Sequence, residues 1–160
     1  MDWCRYRFRS VWPLDPAPER VYAVLERAEE YPRWWPQVRE VSRVDDRVGV
    51  VRMRSALPYE LCVTAREARR DPAARILEIT MTGDLDGWAR WRLIPGPRGT
   101  GTQAVFEQDV IVRKRLMRVL AVPARPLFRA NHAAMMRGGR RGLTELLAAG
   151  DGAADHRDAV

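Results

Sequence analysis

Lysine is almost missing from this sequence. Of its 28 basic residues, only Lys114 is lysine and the rest are arginine. Cysteine is as scarce: Cys4 and Cys62 stand far apart, with no Cys-x-x-Cys spacing. Two such residues make neither a disulfide scaffold nor a structural zinc site. A reducing, cytoplasmic setting is the expectation. The histidines are His132 and His156, too few for a multi-histidine metal centre, so no metal and no cofactor are expected. Serine occurs three times and never in Gly-x-Ser-x-Gly; His-Glu-x-x-His and the Walker lysine motif are also missing. These absences set aside the common hydrolase, zinc-protease and nucleotide-cleaving signatures. No apolar run approaches the ~20 residues of a membrane span. The first residues, Met1 to Arg5, lack the apolar stretch of a secretory signal.

What is present is a charged, apolar-patterned chain of 160 residues with formal net charge +7. Residues 3–12 alternate, with Tyr6, Phe8 and Trp12 facing one way and Arg5, Arg7 and Arg9 the other. Period two marks a strand with one covered face. Val21, Val24, Leu25 and Ala28 repeat at helical spacing after a proline-rich lead-in, predicting a helix over 18–29. Tyr31-Pro32-Arg33-Trp34-Trp35-Pro36 then reads as a short helix or turn. One of its tryptophans closes the core; the other closes it too, or rims a pocket.

Six strand-like runs come next, at 38–44, 48–55, 59–69, 75–82, 85–94 and 102–112, joined by Asp, Gly and Pro turns. The glycine-rich stretch Gly96 to Gly101 falls in one of these hairpins, not at a strand-to-helix turn, so it is turn chemistry and not a phosphate cradle. A short helix near Leu116 to Leu120 precedes a long one over 125–148, whose stripe is Phe128, Met135, Gly139, Leu143 and Leu146. Gly138, Gly139 and Gly142 cost that helix about 1 kcal/mol each relative to alanine. Close approach to a neighbouring element is the expected compensation. Residues 1–149 read as a single domain and 150–160 as a disordered tail.

Strand, helices, meander and one long helix make an α+β domain. A curved antiparallel sheet wraps the C-terminal helix, and a curled sheet leaves an apolar cavity beneath it. The residues also carry a resemblance. Pro18 to Leu25 followed by Tyr31 to Pro36, Gly83 to Gly87 before a tryptophan-bearing strand, and Gly101-Thr102 before the last strand resemble helix-grip proteins. This is the SRPBCC/START-like superfamily, which includes birch-pollen-allergen-like proteins. Ala124 to His132 with Met136-Arg137-Gly138 is similar to its bacterial polyketide cyclase/dehydrase branch. The resemblance covers about residues 3–148. It implies a cavity for apolar or aromatic molecules, used for binding in some members and for cyclising polyketide chains in others. In cyclases of this superfamily a cavity arginine and aromatic hydroxyls are implicated.

Several polar groups fall where that cavity is expected. Asn131 is the chain's only asparagine and precedes His132 on the long helix. The imidazole suits a general acid or base, and the amide suits holding a substrate oxygen; alternatively His132 is a satisfied core residue and Asn131 bonds backbone. Arg66 reaches the interior only if a bulge near Pro58 shifts its register. Gln108, Tyr6 and Tyr59 offer further hydrogen bonds. Trp34, Trp35, Met53, Met81, Trp91, Phe106 and Met135 supply apolar lining, or ordinary core.

Two functions remain open: binding of a lipid-, quinone- or polyketide-like small molecule, or aldol cyclisation and dehydration of a poly-β-ketone chain. The partner expected is a hydrophobic ligand, with the protein itself a monomer or homodimer. Nucleic-acid binding is not expected, because Arg5, Arg7, Arg9, Arg52, Arg54, Arg90 and Arg92 share the outward sheet face with Glu78, Glu107 and Asp109.

Overall fold

The structure is a computed structural model that describes residues 2–54 and 57–155, the last five by their backbone alone. Of the expected tail, residues 156–160 lie outside these residues.

Strand β1 (Arg5–Leu14) leads into helix α1 (Pro18–Leu25), a 3-10 turn (Ala28–Glu30) and the one-turn helix α2 (Tyr31–Trp34). The meander runs as β2 (Val38–Arg43), β3 (Val48–Arg54), β4 (Glu60–Asp71), β5 (Ile76–Gly83), β6 (Leu85–Pro95) and β7 (Thr102–Val112). Helices α3 (Arg115–Val119) and α4 (Arg125–Asp155) close the chain. The strands form one antiparallel sheet in the order β1-β7-β6-β5-β4-β3-β2. The first strand therefore sits beside the last, and the sheet edges are β1 and β2. This curved sheet with a long C-terminal helix is the helix-grip architecture.

Helix α4 runs past the end expected from the sequence. Ala148, Ala149, Ala153 and Ala154 are strong helix formers and no proline intervenes. Gly150 and Gly152 do not offset an established helix that propagates one hydrogen bond per residue. Its buried stripe also differs at the end: Leu147 is buried and Leu146 is exposed. Four-residue steps from Gly139 through Leu143 lead to 147, not 146.

The glycines of α4 have a steric reason. A Cβ at Gly142 would run into the carbonyl of Trp34, and one at Gly139 would lie 2.6 Å from the Trp35 ring and 2.8 Å from Trp12. Trp12, Trp35 and Trp91 interlock at centroid distances of 5.5 and 4.8 Å, and the Trp35 indole N–H donates to the Met135 carbonyl at 2.9 Å. Val21 and Leu143 are essentially inaccessible here. This end of the interior is solid.

The outer sheet face is a lattice of ion pairs. Asp109 accepts from Arg5 at 2.8 Å and Arg7 at 3.0 Å. Arg90 bridges Glu78 and Glu107 at 3.4 and 3.2 Å, and Arg52 meets Glu60 at 2.7 Å. Cross-strand neighbours on one face stand close enough to pair, so alternation alone makes this pattern. At the β1 edge, Arg125 donates to the carbonyls of Trp3 at 2.7 Å and Arg5 at 3.0 Å.

Candidate functional site

The other end of the interior is hollow. A cavity of about 300 Å³ lies between the sheet and the first half of α4. Its volume comes from residue size. The inward row Phe8–Gln108–Ala89–Ile79 crosses four strands in register, and Ala89 leaves space beneath the helix. Ala65 and Gly49 do the same on β4 and β3. Trp35, Trp91 and Phe106 form the wall that separates the cavity from the solid end. Met53, Met81, Met135 and Met136 line it with flexible thioethers, which adapt to irregular apolar shapes.

One polar pair stands in this apolar lining. His132 Nε2 lies 3.1 Å from Gln108 Oε1. With the amide oxygen as acceptor, Nε2 carries the proton and donates. The imidazole is stacked on Phe8, with centroids 3.6 Å apart and planes within 7°. Burial lowers its pKa to about 4, because the charged form would lose hydration among aromatic rings. His132 is therefore neutral at physiological pH. The Gln108 amide nitrogen has no partner among the described residues. Its two N–H donors are what the cavity offers a ligand carbonyl or hydroxyl.

The opening lies between the end of α1 and the β2–β3 turn, and it is charged. Glu26, Glu29, Arg43, Arg47, Glu67 and Arg70 surround it. Arg70 Nε meets Glu67 at 3.1 Å, and its Nη2 donates to the Glu26 carbonyl at 3.2 Å. Arg43 reaches Glu29 across the opening at 3.9 Å. Tyr31 lies on the inner side of this rim, donates to the Leu25 carbonyl at 2.7 Å, and has its pKa raised by burial.

Of the residues singled out from the sequence, Trp35, Met53, Met81, Trp91, Phe106, Gln108, His132 and Met135 line the cavity together. Tyr6 and Trp34 are buried but belong to the packed interior. Tyr59 is half-buried against Phe128, with ring centroids 6.1 Å apart. Asn131 is turned toward the Tyr59 hydroxyl and does not line the cavity. One helical step is 100°, so Asn131 and His132 cannot share an aim.

Arg66 does not face inward. It is exposed and pairs in register with Val48 and Thr80. The bulge in β4 falls at Ala68, between Glu67 and Arg69, downstream of Arg66. Parity is unbroken from Leu61 to Glu67, so Arg66 stays outside. Past the bulge, parity flips and Arg70 joins the inward row with Leu77 and Trp91. A bulge inserts one residue and re-aims the side chains after it. The bulge therefore brings Arg70, not Arg66, to the mouth of the cavity, which Arg43, Arg47 and Arg69 also line. Ala65, Ala89, Leu77 and Ile79 were also missed as lining; small and aliphatic residues on inward parity carry no signal of their own. Among the described residues no group of His, Cys, Asp or Glu is placed to hold a metal ion, and no helix is long and apolar enough to cross a membrane.

Comparison with known proteins agrees with this geometry. A family profile described as polyketide cyclase / dehydrase and lipid transport matches residues 15–137. No curated protein matches the chain. Among solved structures, the Zhui aromatase/cyclase from Streptomyces sp. R1128 superposes with TM-score 0.73 at 16% identity, covering 88% of this chain and 92% of that one. A START superfamily protein from Mycobacterium smegmatis gives 0.66 at 14%, over 87% and 94%. Ara h 8.0201 gives 0.64 at 12%, over 91% and 99%. At these identities the likeness is one of fold.

Proposed function

Since the chain belongs to the polyketide cyclase / dehydrase and lipid transport family, we propose that it binds a compact hydrophobic or aromatic molecule in the cavity under α4. The observation that carries this reading is a polar pair, His132–Gln108, set among aliphatic, aromatic and thioether side chains inside a charged opening. Such a site takes an apolar body and orients it by one oxygen. About 300 Å³ is at the small end of ligand pockets, which run from roughly 300 to 1,000 Å³. A short acyl chain or a small ring system fits that space better than a long extended chain. Trp35, Met53, Met81, Trp91, Phe106 and Met135 would hold the body, and Gln108 the oxygen.

Native mass spectrometry of freshly purified protein tests this. The expected result is a co-purified small molecule on the wild type that is missing from Ala89→Leu, where the added side chain fills the cavity. Equal occupancy of both proteins, or displacement by apolar probes of neither, overturns the reading.

Cyclisation of a poly-β-ketone chain is the second reading, favoured by the His132 imidazole lining the cavity and by the likeness to an aromatase/cyclase. The cavity would fold the chain, and holding reacting atoms together supplies several kcal/mol. The proton transfer is the weak point. A base works best with a pKa near the operating pH, and burial holds His132 near 4. As it stands His132 is a hydrogen-bonding group and a poor proton acceptor. Turnover of a cyclisable substrate that is lost in His132→Ala but kept in His132→Gln would show that positioning, not proton transfer, is its part.

A further inference from the structure

The arginines divide into two populations. Most of those on the sheet face carboxylates, as Arg5, Arg7, Arg52 and Arg90 do, while Arg39, Arg54 and Arg66 stand exposed among polar neighbours without one among the described residues. The segment from Val110 to Thr144 holds nine Arg or Lys residues and no Asp or Glu. Arg113 and Lys114 reach back to Asp86 and Asp84 at 2.7 and 3.4 Å. Arg115, Arg118 and Arg129 are exposed, and among the described residues none has a carboxylate partner.

The same segment exposes aliphatic side chains. Leu116, Val119, Leu120, Val122 and Leu127 are between 40% and 80% accessible. Helical backbone hydrogen bonds run through it, from Arg118 to Lys114, Leu120 to Leu116, Ala124 to Leu120 and Phe128 to Ala124. Met117, Ala121 and Phe128 face the core. A surface helix ordinarily turns polar residues outward once its inner stripe is spent; this one turns out leucine and valine. Trp3, also about half exposed, is tied to the same place by the bond from Arg125 to its carbonyl.

We propose that α3, the α3–α4 connection and the first turn of α4 form a docking surface for an anionic lipid bilayer. Aliphatic side chains enter the acyl boundary while unpaired arginines meet headgroup phosphates, the two-part signature of interfacial binding. Charge complementarity selects the partner. Nucleic acid would satisfy the arginines but leave the leucines in water, and a purely apolar protein partner would bury unpaired guanidinium groups. None of these residues lines the cavity, so the surface is independent of cavity occupancy.

Vesicle flotation tests it, using the full chain with phosphatidylcholine vesicles and with phosphatidylcholine–phosphatidylglycerol vesicles. The expected result is flotation with the anionic vesicles only, weakening as salt rises. Val119→Glu with Leu127→Glu should weaken it at least about tenfold, and Arg115→Gln with Arg118→Gln several-fold, with a flatter salt dependence. All these positions are exposed, and matching melting curves would show that the variants fold. Arg9→Gln with Arg52→Gln on the sheet face should float as the wild type. No flotation of wild type with anionic vesicles at low salt overturns the proposal. So does flotation unchanged in the Glu variant, or retention of duplex DNA that depends on Arg115 and Arg118 in the absence of any vesicle binding.

Discussion

The two ends of the interior are built from the same strands and the same helix, yet one is solid and one is hollow. At the solid end, glycines of α4 meet tryptophans of the sheet and of the Trp34–Trp35 block. At the hollow end, methionines and a histidine of α4 stand over Ala65 and Ala89. The difference is one of volume pairing. Small on the helix against large on the sheet closes the gap; medium over small does not. A helix laid rigidly by its glycines at one end cannot settle onto the sheet at the other. Stability is therefore concentrated at the end without a cavity, and the space at the other end is held open from a distance.

The largest test of this contrast is Gly142→Ala. On an exposed helix it would gain about 1 kcal/mol. Here the new Cβ meets the Trp34 backbone, and a loss of about 3 kcal/mol or more is expected in chemical denaturation. An unchanged midpoint would mean that the solid end yields and the contrast is false.

His132 gives the next effect, in the hollow end. Its folded pKa of about 4 lies below the ordinary value of 6.5. The unfolded chain binds the proton more readily in that interval, so this stability is present above pH 6.5 and is lost as pH falls toward 4. The expected loss is about 3 kcal/mol. Denaturation midpoints measured across that window should slope in the wild type and flatten in His132→Phe.

Ala89→Leu should change stability by no more than about 1 kcal/mol in either direction, since the methylenes enter space already empty. Binding of an apolar fluorescent probe should fall at least about tenfold. A large destabilisation would mean that the hollow end is as tightly packed as the other.

Asp109→Asn marks the small end of the scale. It removes two pairs to arginines that are 47% and 72% exposed, and exposed pairs contribute about 1 kcal/mol or less. A thermal shift beyond a few degrees would assign the outer face a weight it is not expected to have.

The alternation of β1, β5, β6 and β7 was legible because one face is apolar and the other charged. The helix glycines announced a close approach before any partner was known. What alternation does not carry is depth. Tyr6, Trp34 and Phe106 all turn inward, yet only Phe106 reaches the cavity, because inward parity does not say which end of the helix a residue meets. Arg66 and Arg70 differ for another reason. A bulge at Ala68 has no residue signature, and it turns Arg70 rather than Arg66 toward the mouth of the cavity. The unpaired arginines of α3 and α4 escaped notice for a third reason: the sheet's charge pattern, read by parity, stood for the whole composition.

The clamp of Arg125 on Trp3 and Arg5 has a consequence for how copies of this protein meet. The Cys4 carbonyl is used by Val112 on β7, so the carbonyls on either side of it belong to the free rim of the sheet. An uncovered rim is a template on which another chain can add a strand and begin an aggregate. One guanidinium occupies two of its acceptors with donors that no incoming strand can displace without stranding a charge. The C-terminal helix thus shields the start of β1, and a truncation that removes it would leave a folding intermediate open to self-association before it exposed any core.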